Sequence, residues 1–321
     1  MVLNDHVMHT ILGAGGPVAN ELLKQLTAHD QPVRLVSRRP LHPEAPSVRW
    51  RGADLLDRSA VIEATTGSEV IYLTAGLVYS AKVWAEQWPL IMDNVITAAR
   101  THGARLLFFD NVYMYGPLDH PITEASPYRA VSKKGEIRAR VADTLMDAVG
   151  KDGLHATIAR APDFYGASSN NSFLDSMVIN RVAAGQRPLW IGDKGKVHNF
   201  IYVPDAGRAL YLLGRHPQHD DQIWHLPTPD PITGTEMVDL VNHVFGRQQA
   251  AVSIKKWMLR TMGLFDASVA GTVEMYYQYD RDYRFDSSKF QATFDFLPTP
   301  YRTGLERLRN ETLLRTAVPK E

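Results

Sequence analysis

The chain has 321 residues, a length that suits one large α/β domain with a second lobe. Its 35 lysines and arginines balance 35 aspartates and glutamates, so no net field recruits nucleic acid or an anionic membrane. Cysteine is absent, which excludes disulfides, thiolate nucleophiles and cysteine-held metals.

Elements follow in a regular order. Val7–Leu12 reads as a strand and Pro17–Ala28 as a helix with proline near its first position. Pro32–Val36 is a second strand, Ser47–Arg51 a weaker third, Glu69–Leu73 a fourth, Ala104–Phe109 a fifth and His155–Ala159 a sixth. Helical patterns fill the gaps at Arg58–Thr66, Lys82–His102 and Ser132–Val149, with Pro89 expected to kink or interrupt the second of these. Near-continuous apolar strands alternating with helices predict a doubly wound parallel sheet covered on both faces, the Rossmann type of α/β fold.

After Tyr165 the rhythm changes. Ser168–Ser172 reads as a loop, a helix runs to Ala184, and Gly185–Lys196 is rich in glycine and charge. Pro204–Gly214 is helical and Gln222–Leu226 a strand, and both are expected to rejoin the sheet. From Pro227 onward helices alternate with proline-rich breaks. The expected division is a parallel-sheet domain at 1–165 joined by 199–226, and a smaller, mostly helical C-terminal lobe at 166–198 and 227–321. No apolar run reaches the roughly 18 residues of a membrane span, and Met1–Thr10 lacks the apolar core of a signal peptide. The expectation is a cytoplasmic protein, a monomer or a homodimer, with a small-molecule substrate and with neither nucleic acid nor membrane as partner.

Gly13-Ala14-Gly15-Gly16-Pro17-Val18-Ala19 directly follows the first strand and opens the first helix. Gly13, Gly15 and Gly16 let the backbone turn sharply and approach a pyrophosphate, and the helix N-terminus offers N–H groups and a favourable dipole. The end of the second strand carries Ser37-Arg38-Arg39 instead of the acid that usually holds a ribose 2′-hydroxyl. A planar, permanently charged guanidinium suits a 2′-phosphate, so NADP(H) is expected in preference to NAD(H), which stays possible. Asp54-Leu55 either caps the adenine or, through Asp54, begins the following helix.

Taken in order, these motifs resemble the extended short-chain dehydrogenase/reductase superfamily, in its NAD-dependent epimerase/dehydratase branch and most like its atypical members. The resemblance rests on Gly13-x-x-Gly16-x-x-Ala19, Asp54-Leu55, Thr74-Ala75-Gly76, Asn94, Tyr115-Gly116, Arg160–Gly166, His198–Ala206 and Asp286–Lys289. It implies that Gly13 and Gly16 hold the pyrophosphate and that Thr74, Ala75 and Gly76 lie along the adenosine ribose and phosphate. Asn94 belongs to the same cofactor set. Arg160, Ala161 and Phe164 are implied on the nicotinamide side. A substrate pocket is implied around Tyr115, Phe173, Trp190, His198, Phe200 and Tyr202.

The family's usual Tyr-x-x-x-Lys pair is out of register. Four residues after Tyr128 stands Ser132; Lys133 and Lys134 are five and six away, turned by about 140° and 240° on a helix. The hydroxyl position falls on Asn111, which hydrogen-bonds but relays no proton. Tyr128 from the preceding loop, or Tyr113, is the expected proton donor, with Asn111 on the substrate oxygen and Lys133 or Lys134 on the ribose. Asp110 is expected to face the ligand. His198-Asn199 replaces the Arg-Asp of sugar-nucleotide members, which weakens a diphosphate anchor; Arg281 or Arg284 is a second candidate contact. Zinc at His216, His219, Asp220 and Asp221 is only a weak reading and no metal is expected. Three functions follow: an NAD(P)-dependent oxidoreductase or epimerase/dehydratase-like enzyme on a small carbonyl or hydroxyl compound, a catalytically silent NADP(H) sensor, and a nucleotide-sugar epimerase.

Overall fold

The computed structural model describes residues 7–166, 172–264 and 267–317. Of the loop expected at 168–172, residues 168–171 lie outside the described residues, as do the first six residues and Phe265. In chain order the elements are β1 (His9–Leu12), α1 (Pro17–Ala28), β2 (Val33–Ser37), β3 (Val48–Gly52), α2 (Arg58–Ala64), β4 (Val70–Leu73), α3 (Ala81–His102) and β5 (Arg105–Asp110). A 3-10 turn at Tyr113–Tyr115 precedes α4 (Lys133–Ala148) and β6 (Ala156–Arg160). Then come β7 (Phe164–Tyr165), a π-helical stretch (Leu174–Ile179), α5 (Asn180–Ala183), β8 (Leu189–Ile191), β9 (Val197–His198), β10 (Ile201–Tyr202), α6 (Val203–Arg215) and β11 (Ile223–His225). The chain closes with β12 (Ile232–Thr233), α7 (Gly234–Phe245), β13 (Val252–Ile254), α8 (Lys256–Met262), α9 (Ala267–Val273), α10 (Ser288–Phe294) and α11 (Tyr301–Ala317).

Seven strands form one all-parallel sheet in the order β11-β6-β5-β4-β1-β2-β3. From β1 the chain moves outward to β2 and β3, then returns to place β4 on the other side of β1. That reversal opens a crevice at the C-terminal ends of β1 and β4, where open α/β sheets take their ligands. Pairing is in register across it, with Leu12 opposite Val36 on one side and Leu73 on the other. Leu12, Ile71, Leu73, Leu106, Phe108 and Ile158 pack under α2, α3 and α4. Burying each such side chain stabilises the fold by about 1.5–3 kcal/mol. On the opposite face Tyr72 reaches α6, where a Cβ on Gly214 would lie 1.8 Å from the phenol oxygen.

Of the kink or interruption expected at Pro89, the interruption is absent: helix α3 runs unbroken past it. The carbonyl that Pro89 leaves without its N–H belongs to Ala85, and both residues face solvent, where water replaces the missing donor.

The chain divides into two units, one of residues 1–116, 124–161 and 206–226 and a second of 117–123, 162–205 and 227–321. The division puts 162–165 and 199–205 in the second unit, where β7 and β10 pair in parallel. That unit also holds antiparallel β9–β12 and parallel β8–β13 pairs beside its helices. β8 lies inside the glycine- and charge-rich segment 185–196; a strand of three residues there carries too little period-two pattern to be read.

Candidate active site at the sheet switch point

The turn between β1 and α1 requires glycine twice. Gly13 and Gly15 have φ of +86° and +93°, a region side chains disfavour. A Cβ on Gly13 would lie 2.3 Å from the Cα of Ala75, so the bare backbone lets the loop after β4 close on the turn. Gly13 and Ala14 donate their N–H groups to the Val36 carbonyl at 3.1 and 3.0 Å, and Thr74 donates both its N–H and its hydroxyl to the Leu12 carbonyl at 2.9 and 3.1 Å. Gly16 is the N-cap of α1 and supplies no side chain to its first-turn N–H groups; Pro17 follows at the start of the helix. Around Gly16 the nearest atom to a Cβ is the Gly13 oxygen at 3.8 Å. This cradle of positive-φ glycines, uncapped amides and helix dipole fits the pyrophosphate of a dinucleotide.

At the end of β2, the Ser37 hydroxyl donates to the Arg39 carbonyl at 2.7 Å and accepts from Trp50 Nε1 at 3.0 Å. That curl leaves the side chains of Arg38 and Arg39 at the surface. Asp54 accepts from the Leu56 N–H at 3.0 Å, whereas the cap of α2 is Asp57, which accepts from Ala60 N–H at 3.0 Å. The reading of Asp54 as helix cap is thus corrected by three residues. Asn94 is buried beneath this loop, donating to the Leu55 carbonyl at 2.9 Å and accepting from Arg58 Nε at 3.3 Å. Its side chain shapes the loop that carries Asp54 and Leu55.

The ends of β5 and β6 hold a closed polar network. Asp110 does not face a ligand: it is buried and accepts from Arg138 Nε at 2.7 Å, from the other Arg138 nitrogen, from its neighbour's N–H (Asn111) at 2.7 Å, and pairs with Arg160 Nε at 3.5 Å. Arg160, also fully buried, donates to the Tyr115 hydroxyl at 2.7 Å and to the Tyr128 hydroxyl. The Tyr115 oxygen meets His225 Nε2 at 2.8 Å as well. Burial pushes the Tyr115 phenol up to about 12, with Arg160 pulling the other way, and burial raises Tyr128 too. These groups satisfy one another. The structure therefore places Arg160 and Tyr115 in the interior rather than on a cofactor or substrate wall. Tyr128 is held by a guanidinium instead of a lysine. Ala161, also buried, donates its N–H to the Asp110 carbonyl at 3.0 Å.

A second group lies beside the crevice. Asn111 Oδ1 accepts from the Tyr113 N–H at 3.0 Å, so its oxygen already orients the turn. The Tyr113 ring stacks on Trp84, and its hydroxyl accepts from the Tyr79 hydroxyl at 3.3 Å. Lys133 and Lys134 open α4 with different fates: Lys133 is exposed, while Lys134 is fully buried with Nζ 4.1 Å from the centre of the Tyr79 ring. Tyr79 was not singled out from the sequence. Its only signal was position, three residues past Gly76 on the ligand-facing edge of the sheet.

In the second unit, Phe173, Trp190, His198, Phe200 and Tyr202 come together, but as core. Trp190 and Phe200 have no exposed surface, and Tyr202 and His198 almost none. Only Phe173 is partly open, its ring 5.5 Å from Trp190 and 5.2 Å from Tyr279. Phe164 is half-buried in β7, and its carbonyl accepts from the Ser172 hydroxyl at 2.6 Å. Burial pushes His198 down to about 4 despite Asp282, so it is neutral at pH 7. Asn199 holds Thr228, the Pro229 carbonyl and the Phe285 N–H. Arg281 and Arg284 pair with Asp280 and Asp282. Asp220 binds Arg105 and Thr157, and Asp221 binds His155. Among the described residues no helix is long and apolar enough to cross a membrane.

The profile of the NAD dependent epimerase/dehydratase family matches residues 9–226. Among curated proteins, the chain is 28% identical over 188 residues to dTDP-glucose 4,6-dehydratase of Mycolicibacterium smegmatis, a match covering 55% of this chain and 56% of that protein. The chain thus spans about half the length of that relative. Among solved structures it is similar to Thermus thermophilus UDP-glucose 4-epimerase in complex with NAD (TM-score 0.74, 19% identity, 98% of this chain and 100% of that one). It is similar also to Bacillus anthracis dTDP-glucose 4,6-dehydratase in complex with NAD (TM-score 0.78, 12% identity, 96% and 97% covered). At such identities the structural likeness is one of fold. With the family profile matching more than half of its length, on the seven-stranded sheet that the structure displays, the chain belongs to the NAD dependent epimerase/dehydratase family.

Proposed function

We propose that this chain binds a nicotinamide dinucleotide, NADP(H) in preference to NAD(H), and interconverts a hydroxyl and a carbonyl on a small substrate. The observation that carries the reading is the glycine cradle at the β1–β4 switch point, with its uncapped α1 N-terminus. There Gly13, Gly15 and Gly16 would hold the pyrophosphate, and Thr74, Ala75 and Gly76 the adenosine side. Asp54 and Leu55 would flank the adenine, and Arg38 and Arg39 would receive a 2′-phosphate. When bound, the nicotinamide supplies reversible acceptance of hydride from a carbon atom.

The two structures described above are named for their complexes with NAD, which supports a nicotinamide cofactor. The preference for NADP(H) rests on the two exposed arginines and the missing acid at the end of β2. Calorimetric titration should find NADPH bound more tightly than NADH. Arg38→Ala should weaken NADPH by about tenfold, or roughly 1.4 kcal/mol, and leave NADH alone. Equal affinities in the unaltered protein would refute the preference.

A nucleotide sugar is the second reading, favoured by the names of the relatives. Against it stand a neutral, buried His198 and an Asn199 committed to three partners where a diphosphate anchor was sought. Calorimetry with UDP-glucose and dTDP-glucose decides: micromolar binding moves the substrate to the nucleotide sugars. Oxidation of NADPH by a panel of aldehydes, ketones and enones tests the first reading directly. Tight cofactor binding with no turnover on either panel would leave a binding protein without catalysis.

A further inference from the structure

Lys134 sits where a cation is least welcome. It lies in the first turn of α4, at the positive end of the helix dipole, and has no exposed surface. A buried charge held against its helix is a functional candidate, and its surroundings give it a task. Its ammonium lies over the face of Tyr79, 4.1 Å from the ring centre, and Tyr79 donates to the Tyr113 hydroxyl at 3.3 Å.

The three side chains are fixed by their backbones. Tyr79 precedes Ser80, the N-cap of α3, whose hydroxyl accepts from the Val83 N–H. Tyr113 is held from both sides. Its N–H donates to Asn111, and its carbonyl packs directly on α4, where a Cβ on Gly135 would lie 2.5 Å from the oxygen. Ser132 caps α4 by accepting from the Gly135 N–H at 3.0 Å. Trp84 lies edge-on to Tyr79 and parallel to Tyr113, with centroids 5.7 and 6.1 Å away. The loop after β4, the turn after β5 and the start of α4 thus converge next to Thr74-Ala75-Gly76 at the crevice.

We propose that Tyr79 and Tyr113, charge-partnered by Lys134, are the acid–base group of this chain, in place of Tyr128, whose hydroxyl is engaged by Arg160. The proposal rests on the cofactor reading above. With an oxidised nicotinamide bound, the cofactor would supply acceptance of the hydride from the substrate carbon. The substrate hydroxyl gives its proton to the ionised phenol pair, leaving a carbonyl and a neutral phenol. In reverse the phenol returns that proton to the oxygen. An ammonium over the Tyr79 ring favours the ionised pair. Other charged groups nearby are Lys133 and Glu136, exposed on the same turn, and Arg138, which shares the Asp110 carboxylate with Arg160 and stacks on Trp88.

The test needs no substrate. Ultraviolet titration of tyrosinate in the intact protein, with its 13 tyrosines, should show one phenol ionising about one pH unit or more before the others. Tyr79→Phe or Tyr113→Phe should abolish that early step. Lys134→Met should push it upward and Lys134→Arg should keep it, while Tyr128→Phe should leave it in place. No early phenol, or one that disappears with Tyr128→Phe and survives both other tyrosine variants, overturns the proposal. NADPH titration of the same proteins separates the two readings. Normal binding without an early phenol fails this proposal alone; an early phenol without NADPH binding supports the group and fails the cofactor reading.

Discussion

The two sides of the crevice are made differently. On the β1–β2 side the groups facing it are open: backbone amides at the start of α1, bare glycines, and arginines at the surface. On the β5–β6 side the charged groups have turned inward and satisfied one another, Asp110 with Arg138 and Arg160, Arg160 with Tyr115 and Tyr128. Binding an anion needs only donors left available, which a turn and a helix end supply. Holding a proton donor in place needs a packed interior, and a packed interior buries charges that must then be paired.

The largest effect expected from breaking this contrast is on the closed side. Asp110→Ala leaves two guanidiniums buried without their carboxylate and should cost about 3–5 kcal/mol in urea denaturation. A loss of only ~1 kcal/mol would mean that water reaches them and that the network is not closed. Next comes the open side, where two glycines separate folding from binding. Gly13→Ala combines a left-handed backbone with a 2.3 Å approach to Ala75 and should cost about 3 kcal/mol as well as cofactor affinity. Gly16→Ala has room for its methyl group, so thermal stability should hold while NADPH affinity falls. Unchanged affinity in the Gly16 variant would move the pyrophosphate elsewhere.

A smaller effect concerns pH. Burial pushes His9 and His198 from 6.5 to about 4, one in each unit. Unfolded, each takes up its proton near 6.5; folded, only near 4. Their contribution is therefore complete above 6.5 and is lost as the pH falls toward 4, by about 2 kcal/mol each between pH 7 and pH 5. Denaturation midpoints at the two pH values measure it, and His198→Phe should remove its own share of the slope.

Local features were readable in the chain, and long-range ones were not. Helix α1 has the bounds its pattern predicts, because Pro17 and the apolar spacing of Leu22, Leu23 and Leu26 are local signals. The glycine turn was legible for the same reason. Arg160 read as a cofactor residue because position along a motif says nothing about what folds over it; its partners lie 50, 45 and 32 residues away. Trp190 and Phe200 read as pocket aromatics, yet the same rings serve as well for a core, and only packing distinguishes the two. Tyr79 went unread because spacing arguments compare residues on one helix, whereas its neighbours come from two other elements.

The segment between Tyr128 and Lys133 sets a limit on redesign. Removing one residue there would recreate a four-residue interval to Lys133, and removing two would do so for Lys134. Neither shortening is available without dismantling the wall of the fold. Arg129 donates its N–H to the Met114 carbonyl at 3.0 Å, and its own carbonyl lies 1.9 Å from where a Cβ on Gly116 would be. Downstream, Arg138 ties α4 to β5 through Asp110. A four-residue tyrosine–lysine spacing is therefore several coordinated changes away, and substitutions are a shorter route than deletions to altering this part of the chain.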